Sequence, residues 1–263
     1  MKRFTARITT QLLLLFLCTY LTFFPAWLGA KPLHSYSLTV PEVGTLPILT
    51  PQQTQSGWSA NTDQETHYLE INQTEEKVII KWDSFDIGSD AHVKFKQEYQ
   101  AGKQGIALNR IYDANPSQIY GRLEATGSIY LVNQNGILFG QGSQTNLNSL
   151  VASSLDISDD AFLGSLWEYR AADHITGNPY DPGDIYNYGV IETEAQGKIF
   201  LLGANVVNAG TLSTEEGRVY LVATDDFEWE PTVGSRDTLS VHTYAGEAAN
   251  TAEEQILADV SQV

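Results

Sequence analysis

The chain is 263 residues long and carries 15 Lys or Arg against 32 Asp or Glu, a formal net charge of −17 at pH 7. A surface so negative repels nucleic acid and anionic lipid and favours solubility. With a single Cys there is no disulfide framework, so the fold rests on its apolar core alone.

Residues 1–30 have the features of a secretory signal. Lys2, Arg3 and Arg7 make a basic start, residues 12–24 form a continuous apolar run, Pro25 ends it, and Leu28-Gly29-Ala30 offers a small residue at the cut. The run is short for the ~20 residues of a membrane span. Cys18 lies inside it. Removing the signal takes 3 basic residues and no acid, which leaves 12 basic against 32 acidic residues, a net of −20. The remaining chain of about 230 residues is ample for one core.

Residues 31–66 read as an irregular N-terminal extension or cap. Pro32, Pro41, Pro47 and Pro51 interrupt them, residues 52–64 are polar and predict loop, and residues 36–40 predict a brief extended piece. Trp58 is expected to anchor this stretch on the body. A body is expected over 67–245. Val78-Ile79-Ile80, Trp82 and Phe85 read as core strand, with Lys81 and Asp83 turned outward. In His92-Val93-Lys94-Phe95-Lys96 the alternation puts Val93 and Phe95 inside and the two Lys in solvent.

From Asn109 to Gly140 short runs rich in β-branched and aromatic residues alternate with corners. Ile129-Tyr130-Leu131-Val132 and Ile137-Leu138-Phe139 flank Asn133-Gln134-Asn135-Gly136, and Asn115-Pro116-Ser117 makes a second corner upstream. The first of these runs recurs. Gly127-Ser128-Ile129-Tyr130-Leu131-Val132 returns as Gly197-Lys198-Ile199-Phe200-Leu201-Leu202 and as Gly217-Arg218-Val219-Tyr220-Leu221-Val222. Asn187 and Asn208 are 21 residues apart, and Gly197 and Gly217 are 20 apart. A period near 20 made of strand-type units predicts a solenoid of stacked coils whose Ile, Val, Leu and Phe share one interior. Asn at equivalent corners of successive coils can form a hydrogen-bonded ladder.

Residues 165–185, with Trp167, Tyr169, His174, Pro179 and Pro182, interrupt the repeat and read as a loop or hairpin outside the solenoid. Asp181-Pro182-Gly183-Asp184 lacks the ligand spacing of known calcium loops and reads as a turn. The acidic run Asp225-Asp226-Phe227-Glu228-Trp229-Glu230 has no His or Cys beside it and reads as a solvated strand or loop face. Residues 239–244 predict a last strand. Residues 246–263 change character, and 251–260 predict a short helix capped by Thr251 with Glu254 three residues on.

Several of these segments, in this order, resemble the secretion domain of filamentous-haemagglutinin-like exoproteins, the cargo of bacterial two-partner secretion. The resemblance rests on Ile79-Ile80-Lys81-Trp82-Asp83-Ser84-Phe85-Asp86-Ile87-Gly88, on Ala107-Leu108-Asn109-Arg110-Ile111 and on Asn115-Pro116-Ser117-Gln118-Ile119-Tyr120-Gly121. It continues through residues 127–140 to Leu150-Val151-Ala152-Ser153-Ser154. The family corner is usually Asn-Pro-Asn-Gly-Ile, and here Gln134 stands at the Pro. The resemblance implies a right-handed parallel β-helix with an N-terminal cap and insertions outside the helix. It implies export through the periplasm of a Gram-negative-type envelope to the cell surface or medium, with the signal cleaved. It implies recognition of the unfolded or partly extended chain by an outer-membrane β-barrel transporter with periplasmic POTRA domains. Extended apolar segments can add as strands to such domains. An adhesin or haemagglutinin with host-cell or surface carbohydrate or protein receptors is the implied whole. Because such exoproteins run far longer, the resemblance implies a short member or a fragment.

The residues expected to matter for recognition are Asn109, Arg110, Asn115, Pro116, Asn133, Asn135 and Gly136. They serve equally as corners that let a coil close. No catalytic residue, metal or cofactor is expected: the five His, at 34, 67, 92, 174 and 242, are scattered, and nucleophile and phosphate motifs are missing. The rival reading is a β-helix polysaccharide lyase or glycosidase, which needs acids and Arg clustered on one face, from among Asp83, Asp86, Arg110, Asp113, Arg122 and Glu124. A stand-alone surface adhesin is a third.

Overall fold

Strands dominate because the chain supplies short β-branched runs punctuated by Gly, Asn and Pro. The structure, a computed structural model, describes residues 33–35, 38–51, 53–54, 56–230 and 238–240. The signal at 1–30, the helix expected at 251–260, residues 241–244 of the expected last strand, and Tyr36 and Ser37 lie outside the described residues.

Three parallel sheets carry the coils. The first stacks Lys77–Ser84, Ile106–Ile111, Ser128–Asn133, Ser149–Ser153, Lys198–Gly203 and Arg218–Ala223 in that order. The second stacks Tyr68–Gln73, His92–Lys96, Arg122–Ala125, Gln144–Leu147, Val190–Thr193 and Thr211–Thr214. The third and shortest runs Ser117–Ile119, Ile137–Phe139, Ile185–Asn187 and Val206–Asn208, extended by a parallel bridge from Ile87 to Ile119. The chain visits second, first and third sheet in turn. The recurring Gly-x-Ile units fall in one register: Ala107 pairs with Ile129, Ile129 with Leu150, Leu150 with Ile199 and Ile199 with Val219.

The interior is built from alternate residues of all three sheets. Ile80, Trp82, Val93, Phe95, Ile129, Leu131, Phe139, Ile185 and Leu201 lie fully buried in one cluster. Val93 and Phe95 point in and Lys94 and Lys96 out, as their alternation requires. The expectation that all apolar residues of the repeat share that interior needs correcting. Leu108, Tyr130, Val132, Phe200 and Leu202 point away from it and are buried in a second cluster. Both faces of the first sheet are therefore covered, which explains its unbroken apolar runs.

The second cover comes from the insertion, which is longer than the 165–185 expected and fills the chain between the strands Ser149–Ser153 and Ile185–Asn187. A six-residue helix α1 (Asp159–Gly164) starts at Ser158, whose hydroxyl accepts the Ala161 N–H, with Asp159 and Asp160 in its first turn. Phe162 of α1 packs edge-on against Tyr130. The strand Trp167–Arg170 then pairs antiparallel with Asp226–Glu230, which in turn pairs with Thr238–Ser240. The insertion is thus no local hairpin. It takes its strand partner from beyond the last coil and folds back over the first sheet.

At the N-terminal edge two antiparallel strands end the parallel stacks. Ile48–Leu49 pairs with Lys77–Ser84, and Trp58–Asp63 pairs with Tyr68–Gln73 over six residues. The polar stretch around 58–63 is a strand where loop was expected, because an edge strand needs only one apolar contact. Trp58 supplies it, buried, while residues 61–63 stay exposed. Leu38–Val40 forms no strand.

Candidate functional site

The Asn133–Gly136 corner joins three coils. Asn133 is wholly buried and donates through Nδ2 to the Asn115 carbonyl and the Ser117 hydroxyl, each at 3.0 Å. Its Oδ1 accepts the Asn135 N–H at 2.9 Å, an Asx turn that holds the corner. Asn135 Nδ2 donates to the Asp113 carbonyl at 2.8 Å. On the other side the Gly183 N–H donates to the Gln134 carbonyl at 2.8 Å, and the Ile137 N–H donates to the Asp184 carbonyl at 3.2 Å. Gly136 has φ +103°, and a Cβ there would lie 2.5 Å from the Asp184 carbonyl oxygen. Gln134, at the place of the family Pro, reaches Asp173 of the insertion with its side chain at 3.5 Å.

The upstream corner differs. Pro116 is buried, but Asn115 is exposed, held by Asp113 Oδ1, which accepts its backbone N–H at 2.8 Å and its side-chain amide at 3.1 Å. The later corners carry the Asn ladder: Asn187 Nδ2 donates to Asn208 Oδ1 at 2.8 Å, and their strands are in register there.

Asn109 and Arg110 sit back to back in one strand. Asn109 points into the interior, accepts the Trp82 indole N–H at 3.0 Å and donates to the Ala107 and Tyr130 carbonyls. Arg110 points to the other face, 2% exposed. Its guanidinium donates to Asp156, to Asp159 of α1 and to the Ile157 carbonyl. Asp156 also accepts the His174 backbone N–H at 3.0 Å, lies 2.7 Å from His174 Nδ1, and accepts the Ile157 N–H at 2.8 Å. Among the described residues, Asp156, Asp173 and His174 are the one group with three metal-type ligands close together. Both Asp156 oxygens are already engaged by these donors. Beside the cluster a cleft of about 120 Å³ opens between Arg110, Tyr112, Asp113, Asn135, Asp173 and His174.

A catalytic face does not assemble from the rival set. Arg110 faces the insertion. Arg122 and Glu124 stand on the second sheet with Lys94, Glu124 lying 3.3 Å from Lys94 and 3.5 Å from Arg122. Asp83 accepts the Thr50 hydroxyl at the N-terminal edge. Asp86 and Asp113 do approach one another. Burial raises the Asp86 carboxyl, the Gln118 N–H that it accepts at 2.7 Å draws it back, and the charge of Asp113 pushes it up further. No Arg or Lys joins them among the hydrogen bonds of either carboxylate described here.

Asp156 as the partner of Arg110 and Asp113 as the partner of Asn115 were missed in the sequence, where Asp113 stands only in the rival acid set and Asp184 only in a turn. Asp113 is the nearest to legible, because Asp two residues before Asn is an Asx-turn signal. Asp184 is not the turn residue expected. Residues 181–184 form no turn and lead into the strand Ile185–Asn187, and the Asp184 side chain is fully buried.

The arrangement has a consequence for recognition. Asn109, Arg110, Pro116, Asn133 and Gly136 are buried in the folded chain, Asn135 is half-buried, and only Asn115 is exposed. Five of the seven are accessible only before the coils close, and Asn115 stays on the surface afterwards.

Comparison with known proteins gives a consistent answer. The family model of the TPS secretion domain matches residues 48–258. Two heme/hemopexin-binding proteins of Haemophilus influenzae are similar. One is 34% identical over 167 residues, 62% of this chain and 18% of the relative. The other is 40% identical over 89 residues, 34% of this chain and 9% of the relative. The chain thus spans less than a fifth of the length of these relatives. The crystal structure of the HMW1 secretion domain from Haemophilus influenzae superposes with a TM-score of 0.60 at 26% identity, covering 72% of this chain and 47% of that one.

Proposed function

The chain belongs to the family of TPS secretion domains, and from that membership we propose that it is the export signal of a two-partner-secretion exoprotein. A β-barrel transporter of the outer membrane receives it, through periplasmic POTRA domains that bind the chain while it is extended. Strand addition is the mode of binding, since it draws on backbone hydrogen bonds and so tolerates an unfolded ligand. The observation that carries the timing is the burial of Asn109 and Asn133 with their amide groups bonded inside the coils. The reading takes the winding as right-handed, the usual hand of parallel crossovers. It takes residues 31–66 as the cap, 67–245 as the secretion domain and 246–263 as a tail, with 1–30 cleaved on export. At the surface the domain serves an adhesin or haemagglutinin-like exoprotein, whose receptors are host-cell or surface carbohydrates or proteins, and it has no catalytic role.

A binding experiment tests the timing. Chain held unfolded in urea and diluted onto immobilised POTRA domains of the cognate transporter should be retained, and chain refolded beforehand should flow through. Equal retention of folded chain would overturn recognition before folding. The conservative substitution Asn115→Ala, at an exposed corner, separates reading from folding: weaker capture of the unfolded chain with unchanged stability is the expected result.

A further inference from the structure

The described residues before the first strand, 33–35 and 38–47, touch the coils at three places beside the third sheet. At the far end, the His34 N–H donates to Asp184 Oδ2 at 2.7 Å, His34 Nδ1 lies 3.1 Å from Asp184 Oδ1, and Nε2 lies 3.3 Å from Asp181 Oδ2. Midway, Gln118 Nε2 donates to the Thr39 carbonyl at 3.0 Å. At the near end, the Gly88 N–H donates to the Thr45 carbonyl at 2.9 Å. The chain therefore runs back from the coil that contains Asp184, past the coil of Gln118, to the first coil at Ile87 and Gly88.

The coils need only their neighbours, and those neighbours follow in chain order. These strap contacts do not. His34 meets Asp184 across 150 residues and Thr39 meets Gln118 across 79. We propose that the segment around His34 and Thr39 is a strap that docks in two steps, Thr39 and Thr45 on the early coils and His34 only after the coil beginning at Asp184 has formed, and that His34 against Asp181 and Asp184 is its catch. Until then the His34 end is undocked while the earlier coils are already stacked. Formation of that coil is thereby registered at the N-terminal end of the domain. This goes beyond the export reading and holds for the isolated chain.

The catch has the composition of a protonation-sensitive one. Asp184 is buried at its side chain, and besides His34 it accepts Tyr186 Oη at 2.9 Å and Asn205 Nδ2 at 2.8 Å. Asp181 is exposed. Burial pushes the His34 imidazole down, but hydrogen bonds and charge from Asp184 and then Asp181 reverse this, so its pKa is raised from 6.5. Burial raises the Asp184 carboxyl, and Asn205, His34 and Tyr186 together hold it below the usual carboxylate range. A histidine with a raised pKa in the docked state favours docking fully below its undocked value and loses that contribution as pH rises through the docked one.

Pulse-labelled hydrogen exchange during refolding of the purified chain tests the order. The His34 amide should gain protection after those at 198–208, which follow Asp184. In the folded chain, exchange of the His34 amide, corrected for its intrinsic rate, should rise by roughly two- to fivefold, the range of a partly exposed ion pair, between about pH 5.5 and pH 8.5. His34→Gln should flatten that response and leave exchange at 128–133 unchanged. Protection of the His34 amide before 198–208 would overturn the proposal, as would an unaltered pH response in the variant or joint opening of residues 34 and 128–133.

Discussion

The coils and the insertion that covers them are held by different rules. A coil strand pairs with strands about one repeat away, and its side chains divide between the interior and the outer face by simple alternation. The insertion is held by contacts that span much of the chain. Arg110 binds Asp156 across 46 residues, Lys77 Nζ donates to the Phe162 carbonyl at 2.7 Å across 85, and Trp167 pairs with Trp229. Both segments bury apolar surface, but only the coils do so chiefly against strands about one repeat away. Without the insertion, the outer apolar face of the first sheet would be open and Arg110 solvated.

The two regions meet at Gly136, so the largest effect is expected there. Gly136→Val places a β-branched side chain at φ +103° and against the Asp184 carbonyl. Strain and overpacking together should cost about 3–5 kcal/mol, read as a lowered urea midpoint of the purified chain. A midpoint within error of wild type would mean that the corner is not closed against the next coil.

Removing one partner of the insertion's ion pair comes next. Asp156→Ala leaves Arg110 buried beside the His174 ring and should cost about 3–5 kcal/mol. The pair Arg110→Met with Asp156→Leu should recover most of that loss, since it leaves no buried charge. If the single and double variants are equally destabilised, packing rather than charge holds the insertion.

Within a coil the expected losses are smaller. Asn133→Ala orphans the Asn135 N–H, the Asn115 carbonyl and the Ser117 hydroxyl oxygen and should cost about 1–3 kcal/mol by urea unfolding. Asn115→Ala, at the exposed corner, should change stability by less than about 0.5 kcal/mol. The contrast is between two corner Asn, one buried and bonded within the coils and one exposed.

The coils were legible because their period is written in side chains. Gly, then Ile or Val, then an aromatic and Leu recur near every 20 residues, and the structure sets those residues in register. The Asn187–Asn208 ladder followed from the same spacing. The covers were not legible. α1 is only six residues long, too short for a helical period, although Ser158 with Asp159 and Asp160 marks its start. The pairing of Trp167–Arg170 with Asp226–Glu230 has no local signal, because strand pairs distant in sequence leave no periodic trace. Splitting of the apolar residues between two cores was hidden for a related reason: a strand buried on both faces loses the alternation that would reveal which face is which. Of the candidate recognition residues, Asn115, Pro116, Asn135 and Gly136 lie at strand-flanking corners, whereas Asn109 and Arg110, expected as corners, lie within the strand Ile106–Ile111, and the sequence could not distinguish exposed Asn115 from buried Asn133.

Secretion tests the central claim most directly. The chain would be expressed with and without the transporter encoded in the same genome, and medium, periplasm and outer-membrane fractions would be blotted. Appearance in the medium or at the cell surface only when the transporter is present is the predicted result. Appearance outside the cell without it, or retention in the periplasm with it, would contradict the assignment as a transporter-dependent export signal.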